Sequence, residues 1–175
     1  MANLKAIKEK RTSINKTRKV TRAMEAVSAV KMRKAQERAL DARVYARAAL
    51  RILSQVSGSF DLASHPLTIS SDTGKIAVIL VTSDKGLAGS LNSSVVKLTE
   101  TFLEQEKLST KDVVFLCLGK RGYEFATRRG YEVLYHETNI TDDVSISAME
   151  ELTQKAINGL QAGEFREVHM VYTNF

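Results

Sequence analysis

Residues 82–92, TSDKGLAGSLN, carry the densest set of side chains with chemical potential in this chain. Hydroxyl, carboxylate, ammonium and amide groups at Ser83, Asp84, Lys85 and Asn92 surround Gly86, Leu87 and Gly89. In open α/β folds a turn between a strand and its helix is where phosphates bind, on helix N-terminal amides. Gly86 and Gly89 give G-x-x-G only, which is neither G-x-G-x-x-G nor the G-x-x-x-x-G-K-[ST] phosphate loop. The segment therefore reads as a tight strand-to-helix turn, with a nucleotide-binding α/β domain as the alternative. GKRG (119–122) reads as a second such turn.

Catalytic and metal-binding patterns are missing. His65, His136 and His169 are spread over a linker and two strand-like runs. No H-x-x-x-H, C-x-x-C or G-x-S-x-G occurs, so metal-site and nucleophile-elbow chemistry has no support. Asp142 and Asp143 precede a helical pattern and read as N-terminal capping carboxylates rather than an acid/base pair. Cys117, the only cysteine, lies in an apolar run and reads as a buried, inert thiol. We expect no catalytic residue, no cofactor and no metal.

The remaining charged groups are basic and clustered: Lys16, Arg18, Lys19 and Arg22, then Lys31, Arg33, Lys34 and Arg38. They belong to a stretch, residues 1–57, without glycine or proline and with fifteen Lys and Arg against four Asp and Glu. The net +11 there is offset by −5 in the rest, giving +6 overall. An unbroken helix of this length runs roughly 85 Å and cannot be buried by the remaining residues. It needs a partner, and its charge favours an acidic one: nucleic acid, anionic lipid or acidic protein.

Heptad spacing from Leu4 divides this helix. Met32, Ala35, Ala39, Ala42, Ala46, Ala49, Leu53 and Val56 form a clean seam whose small residues let one partner helix approach closely. Before it the seam breaks at Arg11, Arg18 and Glu25. A second stripe, Val20, Ala23, Met24, Val27 and Val30, takes over at helical spacing. A basic leucine zipper also joins a basic helix to heptads, but it needs leucine at d, and phosphates have no use for Met24, Val27 and Val30. An acidic protein surface is the better reading.

Gly58 is expected to end the helix, and 58–74, with Pro66, to be a linker. Residues 75–175 then alternate strand and helix: strands at 75–82, 112–119, 131–137 and 167–175, helices at 92–107 and 120–129 and a third opened by a Ser147-x-x-Glu150 capping box. The expected fold class is α/β, a long N-terminal helix followed by a Rossmann-like, mainly parallel sheet. The chain stops on a strand, which predicts a further C-terminal portion. The N-terminus lacks the apolar core of a signal peptide, and no run approaches 18 apolar residues.

TRAMEAVSAVKMRKAQ (21–36) and VTSDKGLAGSLNSSVV (81–96) together resemble the γ subunits of F-type ATP synthases, and the likeness extends to the VYTNF strand. The family turn commonly reads G-L-C-G-x-L-N; Ala88 stands at the cysteine position here. The resemblance implies that the N-terminal helix pairs antiparallel with a C-terminal helix, absent here, as the central shaft inside an α3β3 head. It implies partners in the α, β and ε subunits and the c-ring, with no nucleic acid. It implies a peripheral place on the cytoplasmic face of the bacterial inner membrane and a mechanical, non-catalytic role. The motif residues are Ser83, Asp84, Lys85, Gly86, Leu87, Gly89 and Asn92. Arg18, Lys19, Arg22, Met24, Val27 and Val30 would face the β subunits. Without its partner helix, the isolated chain is expected to self-associate through the long helix.

Overall fold

The computed structural model describes residues 2–57, 65, 67, 72–140 and 145–174. The chain divides into two compact units, Met1–Phe60 and Asp61–Phe175. Gly58, Pro66, Asp142 and Asp143, to which the sequence assigned a helix stop, a linker and caps, lie outside the described residues. So does the side chain of Val56.

The first unit is one helix, α1, Ala2–Ser57. At 56 residues it is about five times the usual length. It lacks both common helix breakers, and it is rich in alanine, lysine and arginine, which lose little on entering a helix. Thr12, Thr17 and Thr21 would otherwise compete for the backbone. Their hydroxyls donate instead to the carbonyls of Lys8, Ser13 and Thr17, one turn back.

The second unit runs β1 (Lys75–Val81), α2 (Leu91–Gln105), β2 (Val113–Leu118), α3 (Lys120–Arg128), β3 (Glu132–Glu137), α4 (Ile146–Gln161) and β4 (Phe165–Val171). The strands lie in the order β3-β2-β1-β4, all parallel. The continuous apolar runs of β1 and β2 are explained by burial on both faces. Ile76, Val78, Leu80, Val113, Phe115 and Cys117 pack on one side, with Val95 and Leu103 of α2 and Phe125 of α3. Ala77, Ile79, Val114, Leu116 and Leu118 pack on the other, with Leu152 and Ala156 of α4. Going from β1 through β2 to β3 keeps the connecting helices on one face. Reversing direction to place β4 beside β1 puts α4 on the opposite face, as right-handed crossovers require.

Three details correct the sequence reading. The cap of α4 is Ser145, not Ser147: its backbone is extended and its Oγ accepts from the Ala148 N–H at 3.1 Å. Ser147 stands inside the first turn. Helix α3 begins at Lys120, so within GKRG only Gly119 is outside the helix. Strand β4 begins at Phe165 and ends at Val171, with Tyr172–Asn174 irregular.

Candidate functional site

At the C-terminal edge of the sheet, the 82–92 turn after β1 meets the N-terminus of α3 after β2. In doubly wound folds this edge receives phosphorylated ligands. Here the α3 amides already have partners. The Lys120 N–H donates to Asp84 Oδ1 at 2.8 Å, the Arg121 N–H to the Ser83 carbonyl at 3.2 Å, and the Gly122 N–H to Thr82 Oγ1 at 2.7 Å. These are the donors a phosphate would claim, and the β1–α2 turn occupies them. Asp84 also places a carboxylate at the positive end of the helix, where an anionic ligand would sit.

The turn is braced from its other end by Asn92, which folds back from the first turn of α2. Its Oδ1 accepts from the Ser83 N–H at 2.9 Å, and its Nδ2 donates to Ser83 Oγ at 2.8 Å and to the Lys85 carbonyl at 3.3 Å. Ser83 Oγ in turn donates to the Lys85 carbonyl at 2.8 Å. Ser83, Asp84 and Asn92, polar residues from the two ends of the turn, are thus one half-buried clamp. Lys85, Gly86, Leu87 and Gly89 form its exposed tip. Leu87 takes a left-handed backbone, φ 58°, and its side chain is fully exposed.

Thr82, Gly119 and Gly122 complete this construction; the sequence placed them in turns but did not count them among the site residues. Gly119 has φ 95°, and a Cβ there would collide with the Thr82 carbonyl. Two strands ending in glycine-containing turns, in a predicted parallel pair, were the available signal.

The histidines and the cysteine do not converge. His136 stacks on Tyr123 with ring centroids 4.1 Å apart. His169 lies 2.7 Å from Glu167 Oε2 and 4.7 Å, centroid to centroid, from the ring of Phe102. Cys117 is buried, and burial pushes its thiol up to about 12. Among the described residues no three His, Cys, Asp or Glu side chains form a metal-binding group.

The other candidate surface is on α1. Val20, Met24, Val27 and Val30 are all exposed, Met24 by 66%, beside exposed Arg18, Lys19 and Arg22. Burying each such apolar side chain would contribute about 1.5–3 kcal/mol, which the stripe forgoes while it is exposed at these four positions. The alanine seam, Ala35, Ala39, Ala42, Ala46 and Ala49 between Met32 and Leu53, lies along the same helix and is open or half-covered along its length. Among the described residues no helix is long and apolar enough to cross a membrane.

A family model described as ATP synthase matches residues 3–175. The chain is 37% identical to an ATP synthase gamma chain from Chloroherpeton thalassium, over 100% of this chain and 59% of that protein. It is 34% identical to one from a Geobacter species and 35% identical to one from Chlorobium luteolum. Those matches cover 100% of this chain and 61% and 62% of the relatives, so it spans about three fifths of their length.

Proposed function

The chain belongs to the ATP synthase γ-chain family, and from that premise we propose that it supplies half of a rotating central stalk. In this reading α1 lies inside an α3β3 head, with the alanine seam against a second, antiparallel helix of the whole protein. The basic, partly apolar segment from Arg18 to Val30 meets the β subunits. The sheet domain sits at the foot, near the ε subunit and the c-ring, and the assembly stands on the cytoplasmic face of the membrane without crossing it. The work done is mechanical: each orientation of an asymmetric shaft favours one β conformation through differential contacts.

The observation that carries this reading is the division of α1. One part exposes small residues on a single seam, suited to one close helix. The other exposes valine and methionine among cations, suited to several surrounding acidic surfaces. The domain's own chemistry points the same way, because the amides of α3 are committed to Thr82, Ser83 and Asp84. This disfavours the nucleotide-binding alternative. Calorimetric titration of ATP or NAD into the purified chain should give no heat of binding; micromolar affinity would revive that alternative.

Met24→Lys in assembled complexes tests the placement. A cation in place of the exposed thioether alters the β contact and leaves the distant seam intact. We expect ATP hydrolysis to persist while protons pumped per ATP fall. An unchanged ratio would remove Met24 from the coupling surface.

A further inference from the structure

The breaks in the heptad line of α1 are themselves regular. Arg11, Arg18 and Glu25 stand seven residues apart, on the line that begins at Leu4 and continues through Met32, Ala39 and Ala46. Ile7, Ile14, Thr21 and Ser28 are the alternate positions of the same stripe. Ile7 is 57% and Ile14 59% exposed. The Thr21 hydroxyl donates to the Thr17 carbonyl of its own helix at 3.0 Å, so its polar group makes no demand on a neighbour. The line does not stop where the alanines stop; its chemistry changes. Val20 and Val27 stand two residues beyond Arg18 and Glu25, about 160° round the helix, so the apolar stripe lies on the far side.

Along this line the charges read plus, plus, minus. Arg11, Arg18 and Glu25 are exposed, and among the described residues none of the three forms an ion pair. Arg33, by contrast, meets Glu37 at 3.1 Å. Residues seven apart are separated by about 10 Å along the axis, too far to pair with one another. Lys8 and Lys10, both exposed, flank the line beside Arg11. A charge on a seam becomes costly once a helix covers it, unless the covering helix brings the opposite charge. Polar seam residues therefore fix register rather than add stability. The alanines at 35, 39, 42, 46 and 49 cannot do this, because a partner can slide along identical small residues by a heptad without changing its contacts.

We propose that Arg11, Arg18 and Glu25 form a register key for the antiparallel helix of the stalk. The proposal rests on the stalk reading and adds the chemistry of the partner. Read from its own N-terminus, the partner helix carries a cation opposite Glu25, then a carboxylate opposite Arg18 and another opposite Arg11, at heptad spacing. A slip of one heptad in either direction sets like charges together, a carboxylate against Glu25 or the cation against Arg18. The key moves Arg18 from the β-facing set to the seam. It leaves Val20, Met24, Val27 and Val30 to the β subunits.

The purified chain can be titrated with fluorescein-labelled helical peptides about four heptads long, read by anisotropy. The matched peptide has an alanine and leucine seam carrying, at heptad spacing, a lysine followed by two glutamates. A reordered peptide, with the two glutamates before the lysine, has the same composition and net charge. We expect the matched peptide to bind roughly tenfold tighter or more. Arg18→Glu in the chain should weaken the matched peptide by a similar factor, and a Glu→Lys change at the facing position of the peptide should restore binding. General attraction to a basic helix predicts the opposite of that rescue, because the peptide has become more positive. Far-ultraviolet circular dichroism would confirm equal helix content in the native and variant chains. Three results would overturn the proposal: no binding of the matched peptide at tens of micromolar, equal binding of the two orders, or no rescue of Arg18→Glu by the lysine peptide. Equal, tight binding of both orders would remove the key and leave helix pairing standing. The stalk reading is judged by Met24→Lys, so either can fail without the other.

Discussion

At the scale of single residues, the chain separates groups that look reactive from groups that are reactive. Cys117 is fully buried in the sheet, and burial raises its thiol from 9.0 to about 12. Above pH 9 the unfolded chain gives up this proton while the folded chain keeps it. The contribution is therefore intact below pH 9 and is lost as pH rises toward 12, with a slope of at most about 1.4 kcal/mol per pH unit. Cys117→Ala should flatten that part of an alkaline unfolding curve followed by circular dichroism; an unchanged slope would show the thiol is not the source. Gly119 and Gly130 make a second pair of contrasting residues. Both have positive φ, but a Cβ at Gly119 meets the Thr82 carbonyl and one at Gly130 meets nothing within 4 Å. Gly119→Ala should cost roughly 3 kcal/mol or more in urea unfolding, adding a collision to the strain, whereas Gly130→Ala should cost about 1–2 kcal/mol. Equal losses would mean that backbone strain alone sets the cost.

Elements are decided by short-range chemistry, and the cap of α4 shows how finely. Ser145 Oγ holds the Ala148 amide, so Ser145→Ala should cost about 1 kcal/mol. Ser147→Ala, within the first turn, should change stability by less than about 0.5 kcal/mol; thermal melts that rank the two the other way would restore the Ser147 cap. Ser147-x-x-Glu150 matched the capping pattern in composition, but the extended backbone at residue 145 that makes a cap cannot be read from a four-residue string. The buried strands were legible because IAVILV and VVFLCL stay apolar through both pleat directions. The alanine seam was legible because spacing alone defines it. The clamp around the turn was only half legible. Its members Ser83, Asp84 and Asn92 stand within one motif, but their partners at Gly119–Gly122 lie nearly forty residues on and are brought close only by pairing of β1 with β2. Left-handed Lys107 marks the same limit: it ends α2 with the Leu108 N–H bonded to the Leu103 carbonyl at 2.9 Å, a position where glycine is the usual signal.

For the molecule as a whole, two units divide the labour. The sheet domain buries apolar side chains on both faces of β1 and β2, and α1 keeps its own in water. An apolar seam rarely stays single, so copies of this chain are expected to pair through α1 in solution. The net +11 of each helix region opposes that pairing, and screening should relieve the opposition. Light scattering at tens of micromolar should therefore show a mass rising above the monomer as salt is added. A monomer at every salt concentration would count against self-pairing. One property of the buried thiol reaches further than stability. Because Cys117 is hidden and Ala88 replaces the other thiol common in the family turn, the native surface offers nothing to a maleimide dye. A single cysteine placed at Leu87 or Met24 would be a unique address. A fluorophore or bead could then be fixed to the tip of the turn or to α1 without first removing a cysteine from these 175 residues.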